Sequence, residues 1–147
     1  MIEKVNKTIK WNGPTYKAIG KKVVSKSVYA IGLAVESQAK LLCPRDTGYL
    51  AASINTQTKT EGDRVESPTK YGNGAGTPPA GFIEIEKPTK ENVCLVGSYV
   101  EYAIWQEMGT CKMNAQPFLR PAFDLVQGRT LEIVTYNGKT YFKDYLE

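Results

Sequence analysis

The tripeptide Asp46-Thr47-Gly48 is the part of the sequence with the most specific chemical potential, because aspartic proteases carry their catalytic aspartate in it. Such a protease needs that aspartate in a loop after an apolar strand, beside a second aspartate that shares a proton. Here the tripeptide follows "LLCPR", the end of a helical pattern, and precedes "YLAASI", which favours a helical turn. A dimeric protease is therefore a remote alternative. We interpret Asp46 or Thr47 as a cap on that turn and Gly48 as a point of close backbone approach.

The other reactive side chains form no catalytic or metal-binding pattern in the sequence. The 147 residues include no histidine, which removes the commonest general base and the commonest transition-metal ligand. Cys43, Cys94 and Cys111 lack the paired spacing of zinc ligands or of a disulfide framework. Glu101 and Glu107 could form a glycosidase-like pair, but surface glutamates are the simpler interpretation. We therefore predict that the chain is not an enzyme and holds neither a cofactor nor a metal ion.

A run of glycine and proline, "YGNGAGTPPAG" at residues 71–81, invites comparison with phosphate-binding loops. Such a loop leads directly into a helix whose amino terminus faces the phosphate. The two prolines in the run prevent a helix there, and no lysine follows in the Walker position. We predict that residues 67–81 form a long flexible loop on the surface. Its candidate contacts with another protein are Tyr71, Asn73, Pro78 and Pro79.

The formal net charge of +4, from 19 basic and 15 acidic residues, allows a nucleic-acid partner without requiring one. Lysines are concentrated near the start of the chain. They form either a solvated face or a surface that contacts a phosphate backbone without reading its sequence. A small basic nucleic-acid-binding module is therefore the alternative function. The lysines concerned are Lys4, Lys7, Lys10, Lys17, Lys21 and Lys22.

Length and composition predict one domain over residues 1–147, since 41% apolar residues suffice for one modest core. No apolar run approaches the length of a membrane span, and the first residues lack the apolar stretch of a signal peptide. We therefore expect a protein made and used in a cytoplasm, with no membrane partner.

A long helix is predicted over residues 15–42, ended by Pro44. Its apolar residues fall on two stripes about 100° apart, so the apolar arc is wider than a surface helix of a small monomer needs. Either the helix is sunk between a sheet and a second helix, or a neighbouring subunit covers the second stripe. The first stripe comprises Ile19, Val23, Ala30, Ala34 and Leu41. The second stripe comprises Val24, Ile31, Val35 and Leu42, which together with Trp105 are the candidate interface residues.

The rest of the chain predicts shorter elements. A short helix within residues 99–108 ends at Gly109, and a second helix has Pro121 in its first turn and ends early at Gly128. The Asn-Gly pair at residues 137–138 lies between β-type runs, which predicts a β-hairpin within residues 131–147. These patterns predict an α+β fold in which a long N-terminal and a shorter C-terminal helix pack on a small, mostly antiparallel sheet. The predicted strands cover residues 2–11, 54–59, 82–86 and 93–98.

Three separated stretches occur in an order and spacing that together are specific. They resemble the Pro-x-Asp-Thr-Gly-x-Leu-x-x-Ser-Ile, Tyr-Ala-x-x-x-Glu-x-Gly-Thr and Pro-Phe-Leu-Arg-Pro-Ala stretches of the HK97 gp10-like family of tailed-phage neck and tail-completion proteins. The resemblance covers residues 15–126; the long loop at 67–81 and the predicted C-terminal hairpin depart from it. The matching residues are Pro44, Asp46, Thr47, Gly48, Leu50, Ser53 and Ile54; Tyr102, Ala103, Glu107, Gly109 and Thr110; and Pro117, Phe118, Leu119, Arg120, Pro121 and Ala122.

The resemblance implies a small α+β subunit without catalytic activity, which assembles with copies of itself into a ring, a hexamer, between the head and the tail tube. It implies connector or stopper proteins and tail-tube or tail-terminator proteins as neighbours, with DNA passing through the ring. It also implies a place in the neck or tail of a virion that is assembled in the host cytoplasm.

We expect two of the motif residues, Leu50 and Ile54, to enter the core. Glu107 and Arg120 are the candidate partners in a charge-assisted pair. Three large side chains are expected to act as apolar anchors, either inside the subunit or across a ring interface. These anchors are Tyr102, Trp105 and Phe118.

Overall fold

The computed structural model describes residues 13–46, 48–60 and 87–143. The predicted strands at residues 2–11 and 82–86 and the predicted loop at 67–81 lie outside this part of the chain. The described elements combine helices with an antiparallel strand pair, which confirms the α+β class. They are α1 (Gly13–Leu42), α2 (Tyr49–Ser53), β1 (Ile54–Thr58), β2 (Cys94–Ser98), α3 (Ala103–Met108), α4 (Leu119–Gln127) and α5 (Thr130–Lys143).

The two strands pair antiparallel, with Ile54 opposite Ser98 and Thr58 opposite Cys94. Helix α1 packs against both strands at Gly32. A Cβ atom at this glycine would lie only 2.2 Å from the Cys94 Sγ. The missing side chain therefore lets the helix backbone approach the sheet closely. At this close contact the Thr56 hydroxyl donates a hydrogen bond to the Gly32 carbonyl oxygen at 3.1 Å.

The wide apolar arc of α1 has a geometric explanation within the subunit. Most of the α1 side chains that enter the core or pack against it follow every fourth residue, a row that winds about 40° around the helix axis per step. This row begins on the first predicted stripe and passes onto the second about half-way along the helix. The spiral contact line thus takes Ile19 and Val23 from the first stripe and Ile31 and Val35 from the second. Its members are Ile19, Val23, Ser27, Ile31, Val35, Ala39 and, just after the helix, Cys43.

The core lies where α1, the sheet and α4 meet. Helix α4 contributes Ala122 and Val126, one turn apart, and Phe118 precedes its first turn; all three are buried. Their spacing places them on one side of the helix, facing α1. The chain leaves α4 at Gly128, as the sequence predicts, and resumes as α5 two residues later.

The predicted C-terminal β-hairpin is wrong, because residues 130–143 form helix α5. The Asn-Gly pair lies inside this helix. Its threonines, which favour strands by propensity, donate their hydroxyl hydrogens to carbonyl oxygens four residues earlier, as Thr135 does to Leu131 at 2.7 Å. Ile133 packs against the core, and α5 lies along α1. Burial of this helical face against α1 therefore outweighs the local turn preference.

Candidate functional site

The second and third motif stretches meet at the amino terminus of α4. Glu107, in the last turn of α3, accepts three backbone hydrogen bonds there. Its Oε2 accepts from the Phe118 amide at 2.7 Å and the Leu119 amide at 3.0 Å. Its Oε1 accepts from the Arg120 amide at 3.0 Å. One carboxylate thus connects the second and third motif stretches, which are separate in the sequence.

These three bonds account for the amino-terminal amide groups of α4. A helix begins with four N–H groups that have no partner within the helix. In α4, three of them donate to Glu107, and the fourth position is Pro121, which has no N–H. The first bond within the helix follows, from the Ala122 amide to the Phe118 carbonyl oxygen. The Pro-Phe-Leu-Arg-Pro stretch is therefore a helix start that is completed by a remote glutamate.

The expected charge-assisted pair between the side chains of Glu107 and Arg120 is wrong, because other atoms form the contact. Glu107 pairs with the backbone amide of Arg120, and the guanidinium group acts only through its charge. Partial burial of the carboxyl opposes its ionised form. The amide bonds and the charge of Arg120 outweigh this opposition and hold the pKa of Glu107 below its ordinary value. Glu107 therefore caps α4 as a carboxylate at neutral pH, where the helix dipole favours a negative charge.

Gly109 explains the Gly-Thr end of the second motif. Its backbone has a positive φ of 75°, which favours glycine. In addition, a Cβ atom at this position would lie 2.7 Å from the Ala115 nitrogen and 2.9 Å from the Met113 carbonyl oxygen. Thr110 and Met113 exchange backbone hydrogen bonds across the tight turn that follows. The turn returns the chain so that the third motif reaches Glu107.

The Asp46-Thr47-Gly48 stretch lies between α1 and α2, in the helical context that the sequence predicts. The predicted cap on α2 by Asp46 is wrong. Gly48 is itself the residue before the helix, so Asp46 stands too early to reach the first amides, and no side chain of the described residues caps α2. Thr47 lies outside the described residues. The expected close approach at Gly48 is also wrong, because a Cβ there would meet no described residue within 4 Å; its φ of 80° is what favours glycine.

Ser53 links the first motif to the sheet. Its hydroxyl donates to the Leu50 carbonyl oxygen at 2.6 Å. Since that hydroxyl has one hydrogen, the Ser98 hydroxyl is the donor in the contact between the two serines. The Val100 amide in turn donates to the Ser98 oxygen at 3.1 Å. The neighbouring motif residues Leu50 and Ile54 are buried in the core, as predicted.

The three predicted apolar anchors differ in how deeply they are buried. Phe118 is fully buried, and Tyr102 packs against the core as a half-buried side chain. Burial, with smaller effects from Tyr49, Cys43 and Asp46, raises the pKa of Tyr102. Trp105 is on the surface. Together with two apolar neighbours it forms what we call the α3 ridge: Ile104, Trp105 and Met108, which are 61%, 50% and 64% exposed.

The predicted interface stripe on α1 is only partly available on the surface of the subunit. Val35 is buried and Ile31 packs against the core, so neither side chain projects from the surface of the subunit, although both line the cavity described next. The spiral contact line along α1 explains both, because it crosses the second stripe in the second half of the helix. Val24 and Leu42, which lie away from that line, are exposed.

An apolar groove of about 710 Å³ lies between α1, β2 and α4. We call it the apolar groove. The sequence analysis missed it, because its lining comes from four separate elements: α1, β2, α4 and, through Glu107, α3. Gly32 and Phe123 are the residues in it with an independent signal, a glycine inside a helix and an aromatic one turn after a helix start. Its main apolar lining is Val28, Ile31, Val35, Leu95, Leu119 and Phe123.

Cys94 also lines the apolar groove. Burial, with a smaller effect from the charge of Glu36, raises the pKa of its thiol to about 11. This thiol is therefore a protonated, apolar part of the wall at neutral pH. Within the described ranges, no group of His, Cys, Asp and Glu side chains is arranged to hold a metal ion. None of the described helices combines the length and apolar character that crossing a bilayer requires.

The candidate loop contacts Tyr71, Asn73, Pro78 and Pro79 lie outside the described residues, so their role stays a prediction. In comparisons with known proteins, no family model matches the chain, and no curated protein or solved structure matches it either.

Proposed function

We propose that the chain is a structural subunit of a tailed phage, a prophage or a phage-derived tail, and that it forms a ring in the neck between the head connector and the tail tube. The observation that carries this proposal is that two separate apolar surfaces are left uncovered by the described residues of the chain. The α3 ridge projects three exposed apolar side chains, and the apolar groove is a cavity that none of them lines.

A projecting surface and a separate receiving surface on the same chain favour head-to-tail association. In such a contact the ridge of one copy enters the groove of the next, and the chain of contacts closes into a ring when the rotation per subunit allows it. A two-fold dimer, by contrast, would use one self-complementary patch. The geometry of the two surfaces therefore supports the ring that the three motif stretches imply.

Trp105 is the expected centre of this contact. A buried aromatic side chain removes about 150–250 Å² from water, and tryptophan is enriched among residues that dominate interface energies. A stable interface buries about 1,200–2,000 Å² in total, so ridge and groove form its apolar centre and other surfaces form the rim.

Charges beside the two surfaces are complementary. Arg120 lines the apolar groove, and its guanidinium forms no ion pair with another described residue. Glu101 is exposed one turn before Ile104 and likewise has no ion pair within the described part of the chain. A pair between Glu101 of one copy and Arg120 of the next would fix the register of the contact more than its strength.

The test is the mass of the protein in solution, measured by light scattering at several protein concentrations and two salt concentrations. We expect growth to a closed species that a Trp105→Ser, Met108→Ser double variant abolishes. The matched control is Leu131→Ser, Tyr136→Ser, which removes two apolar side chains of α5 that are 80% and 73% exposed. This control should assemble like the unchanged protein.

A charge exchange tests the register. Glu101→Arg and Arg120→Glu should each weaken assembly, and the two together should restore it. A protein that stays monomeric at every concentration, or that assembles equally well without Trp105 and Met108, would contradict the proposed ring contact. Assembly together with purified connector or tail-tube proteins then tests the position in the neck.

A further inference from the structure

We propose that a second groove, lined by Lys21, Lys22, Lys26 and Lys59, binds the phosphate backbone of duplex nucleic acid without reading its sequence. This basic groove, as we call it, has a volume of about 460 Å³. It lies between the first half of α1, the end of β1 and residues 91–93. It is separate from the apolar groove apart from Val28, which borders both.

The arrangement of the lysines is the first argument. Three of them belong to α1, and Lys59 comes from the residue after β1, so the fold brings charges from two elements to one space. One acidic residue, Glu91, shares the lining. Lys21, Lys22 and Lys59 are exposed and form no ion pair with another described residue. Like charges gathered around a groove repel one another, and a polyanion relieves that repulsion.

The neutral lining is the second argument. Ser25, Thr60 and Asn92 add hydroxyl and amide groups among the lysines. Lysine, serine, threonine and asparagine are among the side chains that contact phosphate and sugar in complexes with DNA. Asn92 has a positive φ of 60°, a conformation that asparagine tolerates better than most residues, and so holds the turn at one end of the groove.

The residues that the groove lacks define the ligand further. Among the described residues, its lining contains no aromatic side chain and no arginine. Aromatic platforms are what single-stranded nucleic acids stack on, and arginine is the commonest reader of guanine in the major groove. The chemistry of the groove therefore fits the regular backbone of a duplex, held by charge.

The test uses the full chain and a fluorescently labelled DNA duplex, with binding measured by fluorescence anisotropy at several salt concentrations. The variant is Lys22→Glu, Lys59→Glu. The matched control is Lys139→Glu, Lys143→Glu, which makes the same change in net charge on exposed residues of α5. We expect the dissociation constant to rise at least tenfold for the groove variant and less than twofold for the control. The slope of log affinity against log salt should fall by about 1.8 in the groove variant, since each phosphate contact contributes about 0.9.

Two further arms complete the design. Two duplexes of unrelated sequence should bind equally, and a single strand of the same length should bind more weakly. If both double variants weaken binding equally, net charge alone explains the effect and the proposal is wrong. The proposal is also wrong if the protein does not bind the duplex at low salt, or if it binds the single strand more tightly. Light scattering on the same variants keeps this result apart from the ring, because the groove variant retains the α3 ridge and the apolar groove and should still assemble.

Discussion

The Glu107 carboxylate and the Phe118 backbone amide lie 2.7 Å apart, although eleven residues separate them along the chain. This bond and its two neighbours cap α4, which has no side-chain cap from its own sequence. The glutamate of one motif therefore completes a helix that begins in the next. Both motifs act structurally at this junction, since their shared contact orders the wall of the apolar groove.

Removing the carboxylate should destabilise the fold. Glu107→Ala leaves the Phe118 and Leu119 amides without their acceptor, at a cost of about 1–3 kcal/mol. Glu107→Gln keeps one acceptor oxygen and should cost less. Urea unfolding followed by circular dichroism measures both values. Glu101→Ala is the control, because this exposed glutamate has no hydrogen bond or ion pair in the described part of the chain, and it should change stability by less than about 0.5 kcal/mol. Equal losses for the two alanine variants would contradict the capping role.

The same carboxylate predicts a pH dependence of stability. Its pKa is lowered in the folded state, so the unfolded chain binds its proton more readily. The stabilisation is therefore complete above the unfolded-state pKa of about 4.3 and is lost as the pH falls through the lower folded-state pKa. Urea unfolding at a series of pH values should show this acid loss, and Glu107→Gln should flatten it. Parallel curves for the two proteins would assign the acid loss to other groups.

Two glycines of α1 should respond to alanine in opposite directions. At Gly32 the new Cβ would lie 2.2 Å from the Cys94 Sγ and 2.7 Å from the Thr56 Cγ2, so overpacking should cost about 1–3 kcal/mol. At Gly20 nothing lies within 4 Å, and alanine should stabilise the helix by up to about 1 kcal/mol. Thermal unfolding measures both. Adding Cys94→Ala to Gly32→Ala should recover part of the loss, and no recovery would place the strain elsewhere.

The sequence could predict those features that depend on local pattern. The long helix, the strands at residues 54–58 and 94–98 and the glycine end of α3 all follow from periodicity, proline and glycine positions. The partners of Glu107 could not be predicted, because its acceptor role depends on a turn that returns the chain. Periodicity also left open whether the core or a neighbouring subunit covers Val35, because a helical wheel averages over a contact line that winds around the helix.

The three cysteines should differ in reactivity. Cys111 is exposed, Cys43 is buried, and the pKa of the Cys94 thiol is raised to about 11. At pH 8 only about one Cys94 in a thousand is then the reactive thiolate. Iodoacetamide followed by mass spectrometry should therefore show rapid labelling at Cys111 alone, and labelling at all three positions in urea. Rapid labelling of Cys94 in the folded protein would contradict the described packing of β2 against α1.

The C-terminal segment shows the limit of a local signal. Asn-Gly favours a two-residue hairpin turn because both positions tolerate a positive φ. That preference is worth little when the flanking residues have a better partner. In α5, Ile133 packs against the core, and the Thr140 hydroxyl donates to the Tyr136 carbonyl oxygen within the helix. The Thr130 hydroxyl donates to carbonyl oxygens at the end of α4. The packing of α5 on α1 joins residues far apart in sequence, which no short pattern reports.

Whether Gly138→Ala stabilises or destabilises the protein distinguishes a helix from a hairpin at this position. In the interior of α5, Gly138→Ala should stabilise the protein by about 0.5–1 kcal/mol, because alanine loses less backbone entropy than glycine and its Cβ would meet nothing within 4 Å. In a hairpin turn the same position needs a positive φ, and alanine would destabilise. Gly48→Ala is the matched control, since its surroundings are equally open but its φ is 80°, so it should cost about 1–2 kcal/mol. Circular dichroism and thermal unfolding measure both variants. A loss of stability at both positions would contradict helix α5 and support the hairpin.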